Sequence, residues 1–306
     1  MPGGCAIGSR PIDIHLDALK KMGAKIKIKD GYILASAKKG LKGCKIIFPK
    51  ISVGATENIL IAACFAKGET KLRNCALEPE INDLISFLKK IGCNINLIGK
   101  RSINVLGTEK LKATTHKVIF DRIEAGTYII AAALTKGYLK IKNIDPKIMS
   151  AEIKVLQKMG VNIIKKKNYL IATRSKKLKS VNITTEPYPG FPTDLQAQTM
   201  VLMTKAQGIS TIKENIFENR FMHVSELRRM GAKIETEGNK AKIFGKSKLN
   251  GAELMATDLR ASVSLVLAGL VPPNKTIVNR IYHLDRGYEK IEKRLSKCGA
   301  QIRRLK

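Results

Sequence analysis

At 306 residues, 44 % hydrophobic and 26 % charged, the chain has room for two folded domains and is neither disordered nor fibrous in composition. Its 56 Lys+Arg against 25 Asp+Glu leave a formal charge of +31, which raises nucleic acid or another polyanion as a partner. The lysines are spread in short clusters such as 165–167, aromatics make up 5 % and Trp is absent, so no basic run is interleaved with stacking side chains; a Lys-rich compositional drift is the competing account of the charge.

The six cysteines, Cys5, Cys44, Cys64, Cys75, Cys93 and Cys298, form no Cys-x-x-Cys pair and have no His at metal spacing, so neither zinc nor a disulfide framework is indicated. The start of the chain shows no charged-then-apolar leader. The longest apolar stretches, such as 129–134 and 262–271, fall far short of a membrane span, so a reducing cytoplasm is the default compartment.

Residues 2–11, Pro-Gly-Gly-Cys-Ala-Ile-Gly-Ser-Arg-Pro, place the Cys5 thiol in a glycine-rich segment beside Arg10. Nearby positive charge lowers a thiol pKa and makes it a usable acid or nucleophile, although Cys5 taken singly reads first as an inert terminal cysteine. Next comes the first copy of a repeat, Leu-x-x-apolar-Gly-x-x-Ile, at 19–26, 88–95, 156–163, 227–234 and 295–302, with leading leucines 69, 68, 71 and 68 residues apart. Each copy reads as an amphipathic helix ending in Lys or Arg, a left-handed Gly cap and an immediate strand.

Between the corners lies a second pattern, an Ala-rich helical run, then Gly, then a strand ending in Asn: 62–74, 131–143 and 198–215, with 262–279 replacing the Gly by Asn274. One unit is therefore strand, helix, strand, helix, strand, strand over about 70 residues. Helical runs open near Ser52, Arg122, Asp194 and Asp258, so four complete units are expected. The corner at Leu19 has eighteen residues before it and no Ala-rich helix, so the period predicts a chain that opens in mid-unit.

Two further segments carry chemistry. In 187–198, Pro-Tyr-Pro-Gly-Phe-Pro-Thr-Asp-Leu-Gln-Ala-Gln, a proline-stiffened approach delivers Asp194 to a helix start, where it is either a working carboxylate or an N-cap; Asp258 is open to the same two readings. Arg220, Arg260 and Arg286 stand out in a Lys-dominated chain. Their planar forks could converge on one small ligand bearing phosphate and carboxylate, or each could form a surface ion pair.

Taken together, the Cys5 loop and 52–56, 191–194, 218–223, 255–262 and 280–288 run in order over essentially the whole chain and resemble the UDP-N-acetylglucosamine 1-carboxyvinyltransferase family. The sister enzyme that makes enolpyruvylshikimate phosphate shares the six-unit fold but not the cysteine loop. The resemblance implies an α/β fold of two inside-out α/β barrel domains, each of three βαβαββ units, with the active site in the cleft between them. Residues 1–119 are then the incomplete first domain and 120–306 the second.

The resemblance further implies transfer of enolpyruvate from phosphoenolpyruvate to the 3-hydroxyl of UDP-N-acetylglucosamine, without metal or organic cofactor, as the first committed step of peptidoglycan synthesis. Cys5 would be the general acid and Asp194 the base. Arg10 and Arg286 would bind phosphate, Arg220 and Arg260 the carboxylate, and the nucleotide sugar would rest on Arg10, Pro11, Ile12, Asp13 and Ile14, on Lys50, Ile51, Ser52 and Val53, and against Ile216. Tyr188 departs from the histidine expected there in many relatives. The larger departure is the absent front segment, which in the family carries a Lys-Asn pair and a further arginine.

A start placed too far downstream, a split gene and a decaying gene stay open, and a separately encoded N-terminal fragment is one candidate partner. No membrane partner is expected and nucleic acid is disfavoured. The rivals are a basic polyanion-binding module, which salt would weaken steeply, and a remnant that binds the nucleotide sugar without turning it over.

Overall fold

Left-handed glycines set the rhythm of the fold. The structure, a computed structural model, describes residues 12–174 and 177–305. All five corner glycines, Gly23, Gly92, Gly160, Gly231 and Gly299, have φ between 93° and 109°, which only a residue without Cβ adopts at no steric cost. Four of these corners run straight into a strand. The fifth does not, because no partner strand follows Gly299 among the described residues to take up its backbone hydrogen bonds.

The described residues divide into two compact units. The first runs to Ile119 and also takes in Pro187–Pro189. It opens with α1 (Asp13–Lys21), whose acid at the start and lysines at the end complement the helix dipole. The hairpin of β1 (Lys25–Lys29) and β2 (Tyr32–Ser36) follows, turned by Asp30 and Gly31 at φ 50° and 77°. Then come β3 (Lys45–Ile47), α2 (Val53–Cys64), β4 (Glu69–Arg73), α3 (Pro79–Lys90), β5 (Asn94–Leu97) and β6 (Ser102–Leu106). These four strands make one sheet in the order β3-β4-β6-β5, with β3 and β4 parallel and the other pairs antiparallel.

The second unit, Phe120–Glu186 and the residues from Gly190 on, contains α4 (Arg122–Leu134), β7 (Tyr138–Lys142), α5 (Ser150–Lys158), β8 (Val161–Lys165) and β9 (Tyr169–Arg174). It continues with β10 (Asn182–Thr184), α6 (Gln196–Thr204), β11 (Ile209–Lys213), α7 (His223–Arg229), β12 (Lys233–Glu237) and β13 (Lys240–Phe244), and ends with β14 (Glu253–Met255), α8 (Leu259–Gly269), β15 (Ile277–Asn279) and α9 (Ile291–Lys297). The sheets are β7-β9-β8, β10-β11-β13-β12 and β14-β15. All nine residues of α6 are buried, and α4 and α8, which flank it, nearly as completely. The strands around them, such as β11 and β13, bury only alternate residues. Helices buried on every face lie inside, and two-faced strands outside, which is the inside-out arrangement.

The expected four complete units reduce to two among the described residues, those of Ser52 and Asp194. The Arg122 unit lacks its leading strand: Val118, 71 % exposed, gives the run before α4 no apolar anchor against β7. The Asp258 unit lacks its closing strand pair. Asn274 does not take the left-handed cap either, because Pro272 and Pro273 spread the reversal after α8 over several residues; in the 131–143 copy Lys136, at φ 56°, takes the cap instead of Gly137.

A second device recurs in the two complete units. The glycine after β13, Gly245, lies so close to the segment after α6 that an added Cβ would come 1.9 Å from the Ala206 carbonyl oxygen; Gly107, after β6, stands likewise 1.7 Å from that of Ala66. Both contacts are with backbone, which cannot swing aside. Gly245→Ala is expected to lower the unfolding free energy by about 3 kcal/mol or more in urea titration, and a loss below about 1 kcal/mol would contradict this close approach.

Candidate active site

Asp194 begins where a helix cap would be, in the 3₁₀ turn Thr193–Leu195 that leads into α6, but its side chain caps nothing. The Gln198 amide instead donates to the Asp194 carbonyl at 2.9 Å, and the carboxylate is left to the arginines. Arg220 Nη2 donates to Oδ1 at 2.8 Å and Arg260 Nη2 to Oδ2 at 2.9 Å. Both guanidinium groups are almost wholly buried, whereas 37 % of the Asp194 side chain stays open. Burial opposes ionisation of this carboxyl, but Arg260 and Arg220 outweigh it and hold its pKa below the ordinary value.

Arg260 is fixed from behind. Its Nη1 donates to the Tyr288 hydroxyl at 3.2 Å, and that hydroxyl lies 2.9 Å from Thr127 Oγ1. Since Thr127 gives its own proton to the Ile123 carbonyl, Tyr288 is the donor in that pair. Gln198 donates to Thr127 at 3.2 Å, so α4, α6, α8 and Tyr288, just beyond the turn Ile281–Arg286, meet in one buried network. Glycines allow the approach: a Cβ on Gly126 would meet Leu195, and one on Gly287 would meet Leu259. Asp258, by contrast, proves to be a true N-cap, accepting from the Arg260 and Ala261 amides. Arg286 closes the 3₁₀ turn two residues before Tyr288.

Ile216 lies in the connection between β11 and α7, partly exposed, with its N–H donated to Glu214 at 2.9 Å. In the first unit, Ile12 is the N-cap residue of α1, Asp13 its first helical residue, and Ile14 is buried. Ser52 caps α2, its Oγ accepting from Ala55 N at 3.3 Å, with exposed Lys50 and half-buried Ile51 before it and Val53 opening the helix. The starts of α1 and α2 lie side by side: His15 Nδ1 is 2.7 Å from Asn58 Nδ2, and its ring is 3.4 Å from where a Cβ on Gly54 would be. Cys5, Arg10 and Pro11 lie outside the described residues.

Sequence reasoning missed Glu214, Tyr288, Thr127, Gln198, His15 and His223. Gln198 alone had a signal, since it follows Asp194 by four residues and so shares its helix face. Among the described residues no group of three or more His, Cys, Asp or Glu could hold a metal ion, and no helix is long and apolar enough to cross a membrane.

His223 opens α7, fully buried, with no hydrogen-bond partner for its Nε2. Burial drives its pKa down to about 4, with Asp258 opposing the shift and Arg220 adding to it. The unfolded imidazole binds a proton from about pH 6.5 downward and the folded one only near 4. Stability is therefore full above about pH 6.5 and falls by roughly 3 kcal/mol as pH drops through 4. Asp194, whose pKa is also held down, gives up its share only below the ordinary carboxylate range. The urea midpoint is expected to decline from pH 7 to 4 and to decline less in His223→Gln; equal slopes in the two proteins would refute a buried neutral histidine.

The family model described as EPSP synthase (3-phosphoshikimate 1-carboxyvinyltransferase) matches residues 1–295. A UDP-N-acetylglucosamine 1-carboxyvinyltransferase of Pelagibacter ubique (strain HTCC1062) is 63 % identical over 305 residues, spanning 100 % of this chain and 73 % of that protein. Proteins of the same description from Rickettsia prowazekii (strain Madrid E) and Paramagnetospirillum magneticum (strain ATCC 700264 / AMB-1) are 55 % and 53 % identical, with 73 % and 71 % of their lengths covered. Among solved structures, the enolpyruvyl transferase NikO from Streptomyces tendae superposes with a TM-score of 0.90 at 28 % identity, over 97 % of this chain and 73 % of that one. An EPSP synthase from Acinetobacter baumannii, at a TM-score of 0.73 and 19 % identity over 97 % of this chain and 73 % of its own, shares the fold. Matched over its whole length at more than half identity and folded as these neighbours are, the chain belongs to the enolpyruvyl transferase family, among the UDP-N-acetylglucosamine 1-carboxyvinyltransferases.

Proposed function

We propose that this chain transfers the enolpyruvyl group of phosphoenolpyruvate to the 3-hydroxyl of UDP-N-acetylglucosamine with release of phosphate, the first committed step of peptidoglycan synthesis. The observation that carries the reading is Asp194, an ionised carboxylate more than a third open and gripped by two buried arginines. One negative and two positive charges leave the cluster net positive, so it attracts an anionic substrate. Arg220 and Arg260 already hold a carboxylate at charge-assisted distances, the same group that phosphoenolpyruvate presents.

In this reading Asp194 takes the proton of the sugar hydroxyl as that oxygen bonds to C2 of phosphoenolpyruvate, and Cys5 gives a proton to the methylene carbon. Charge on the adduct is met by Arg220, Arg260 and, through the resemblance, Arg10 and Arg286. Loss of a methyl proton and departure of phosphate, with cleavage of its bond to C2, restore the vinyl group. The adjacent starts of α1 and α2, with Ile12, Asp13, Ile14 and Lys50, Ile51, Ser52, Val53, suit the diphosphate of the nucleotide, because helix N-termini offer unpaired N–H groups. Pro11 and Ile216 complete the sugar-nucleotide contacts. We place the reaction in the cytoplasm, where the free thiols Cys44, Cys64, Cys75, Cys93 and Cys298 stay reduced.

A partner polypeptide, encoded separately and supplying the part of its relatives' length that this chain does not cover, is a second proposal with its own support. In three other hairpins the second strand, β6, β9 or β13, pairs with the strand that follows an Ala-rich helix, β4, β7 or β11. Strand β2 has only β1 beside it among the described residues, and its Tyr32 is 74 % exposed. Such an edge accepts an added strand.

Phosphate release from the two substrates tests the reaction. Turnover is expected to vanish in Cys5→Ala and to fall about 10² to 10⁴-fold in Asp194→Asn; undiminished turnover in either variant would sink the mechanism. Adding the uncovered segment of the Pelagibacter relative is expected to raise turnover and to slow amide exchange of Ile33, Leu34 and Ala35, and unchanged exchange there would rule out strand addition at β2.

A further inference from the structure

Glu214 directly follows β11 with 2 % of its surface exposed, and both oxygens of its carboxyl group accept hydrogen bonds from neutral donors, with no cation in hydrogen-bonding contact among the described residues. Oε1 accepts from Thr185 Oγ1 at 2.8 Å, from Ile216 N at 2.9 Å and from Phe217 N at 3.2 Å, and Oε2 accepts from Thr193 Oγ1 at 2.9 Å. Its own N–H donates to Asn239 O, and Thr185 Oγ1 in turn accepts from Asn215 N, both at 2.8 to 2.9 Å.

These donors come from three stretches of chain. Thr185 follows β10, before the proline-rich excursion; Thr193 directly precedes Asp194, after it; and Ile216 and Phe217 start the connection that carries Arg220. The excursion is closed at its base by the bridge between Thr185 and Phe191 and by the hydrogen bond from Glu186 N to Phe191 O. Arg220 is further steadied over the Phe217 ring, 5.0 Å from its centroid. One buried carboxyl therefore fastens the residue beside Asp194 to the loop that delivers Arg220.

We propose that Glu214 is a positioning residue: it sets the separation of Asp194 and Arg220, and orients the Ile216 main chain, by holding the Thr193 hydroxyl and the Ile216 and Phe217 amides on a single carboxyl group. The proposal deepens the enolpyruvyl-transfer reading and rests on it for its kinetic consequence, but its geometric content stands apart from turnover. A carboxyl suits the post because it offers lone pairs on both oxygens, whereas the Gln amide nitrogen accepts nothing.

The test uses the full chain with Glu214→Gln, Thr193→Val, Thr193→Ser and the double variant Glu214→Gln/Thr193→Val. Steady-state kinetics are scaled to the folded fraction, and crystal structures of the wild type and Glu214→Gln are compared. In Glu214→Gln the Asp194–Arg220 separation is expected to open past hydrogen-bonding distance, and kcat per folded molecule to fall roughly 100-fold, as a displacement of about 1 Å at a reacting group does. Thr193→Ser, which keeps the hydroxyl, should match the wild type. Thr193→Val should lose part of the rate, and the double variant should lose no more than Glu214→Gln alone, because the two residues act through one contact.

An unchanged separation in Glu214→Gln overturns the proposal, as do kcat and KM within about twofold of wild type in its folded molecules, or single losses that multiply in the double variant. A residue that merely stabilises the fold would lower the melting temperature and leave kcat per folded molecule intact. A wild type without turnover, even with the uncovered segment of the Pelagibacter relative added, defeats the enzymatic reading, and the measured separation then decides the role of Glu214 by itself.

Discussion

A single carboxylate set between two buried guanidinium groups leaves one positive charge over, so the cluster depends on the hydrogen bonds around it. Taking Arg220 and Arg260 out of water costs more than one exposed ion pair returns, so the arrangement depends on further hydrogen bonds behind it. That backing runs from Asp194 through Arg260 to Tyr288, Thr127 and Gln198. It therefore fixes how α4, α6 and α8 lie against one another, and the small residues Gly126 and Gly287 where they crowd together. The buried apolar side chains of these helices keep water out of the network, and the outer sheets cover them.

The repeat gives the cluster a clear contrast. At the start of the long inner helices the four units place Ser52, Asp121, Asp194 and Asp258, and three of the four do what such residues usually do. Ser52 accepts from Ala55 N, Asp121 from Ile123 N and Glu124 N, and Asp258 from Arg260 N and Ala261 N. Asp194 is the exception. A 3₁₀ turn after Pro192 and the amide of Gln198 take over the backbone at that point, and the carboxylate is released to face Arg220 and Arg260. One module thus serves as scaffold at three positions and as site at the fourth, and the difference lies in which group satisfies the first turn.

Electrostatics separates these two uses. Where the acid caps a helix, its partners are amide dipoles on its own segment. Where it meets Arg220 and Arg260, its partners are full charges from distant segments, which hold it ionised in spite of burial. Burial keeps the neighbouring His223 neutral, with Arg220 adding to the effect and Asp258 opposing it.

The residues alone determined the period, the five glycine corners and the helix starts at Ser52, Arg122 and Asp258, because these depend on neighbours within one or two turns of chain. They also singled out Arg220 and Arg260 as unusual in a lysine-rich chain. They could not tell Asp194 from Asp258, since a cap and a site acid look alike before a helix, nor could they show that the Arg122 and Asp258 units are short of strands, since a strand exists only where a partner pairs with it. Glu214, Thr127 and Tyr288 were invisible for the same reason. Their roles come from contacts across 21 to 161 positions of sequence, such as Thr193 with Glu214 and Thr127 with Tyr288, and only the tertiary fold brings those atoms within hydrogen-bonding distance.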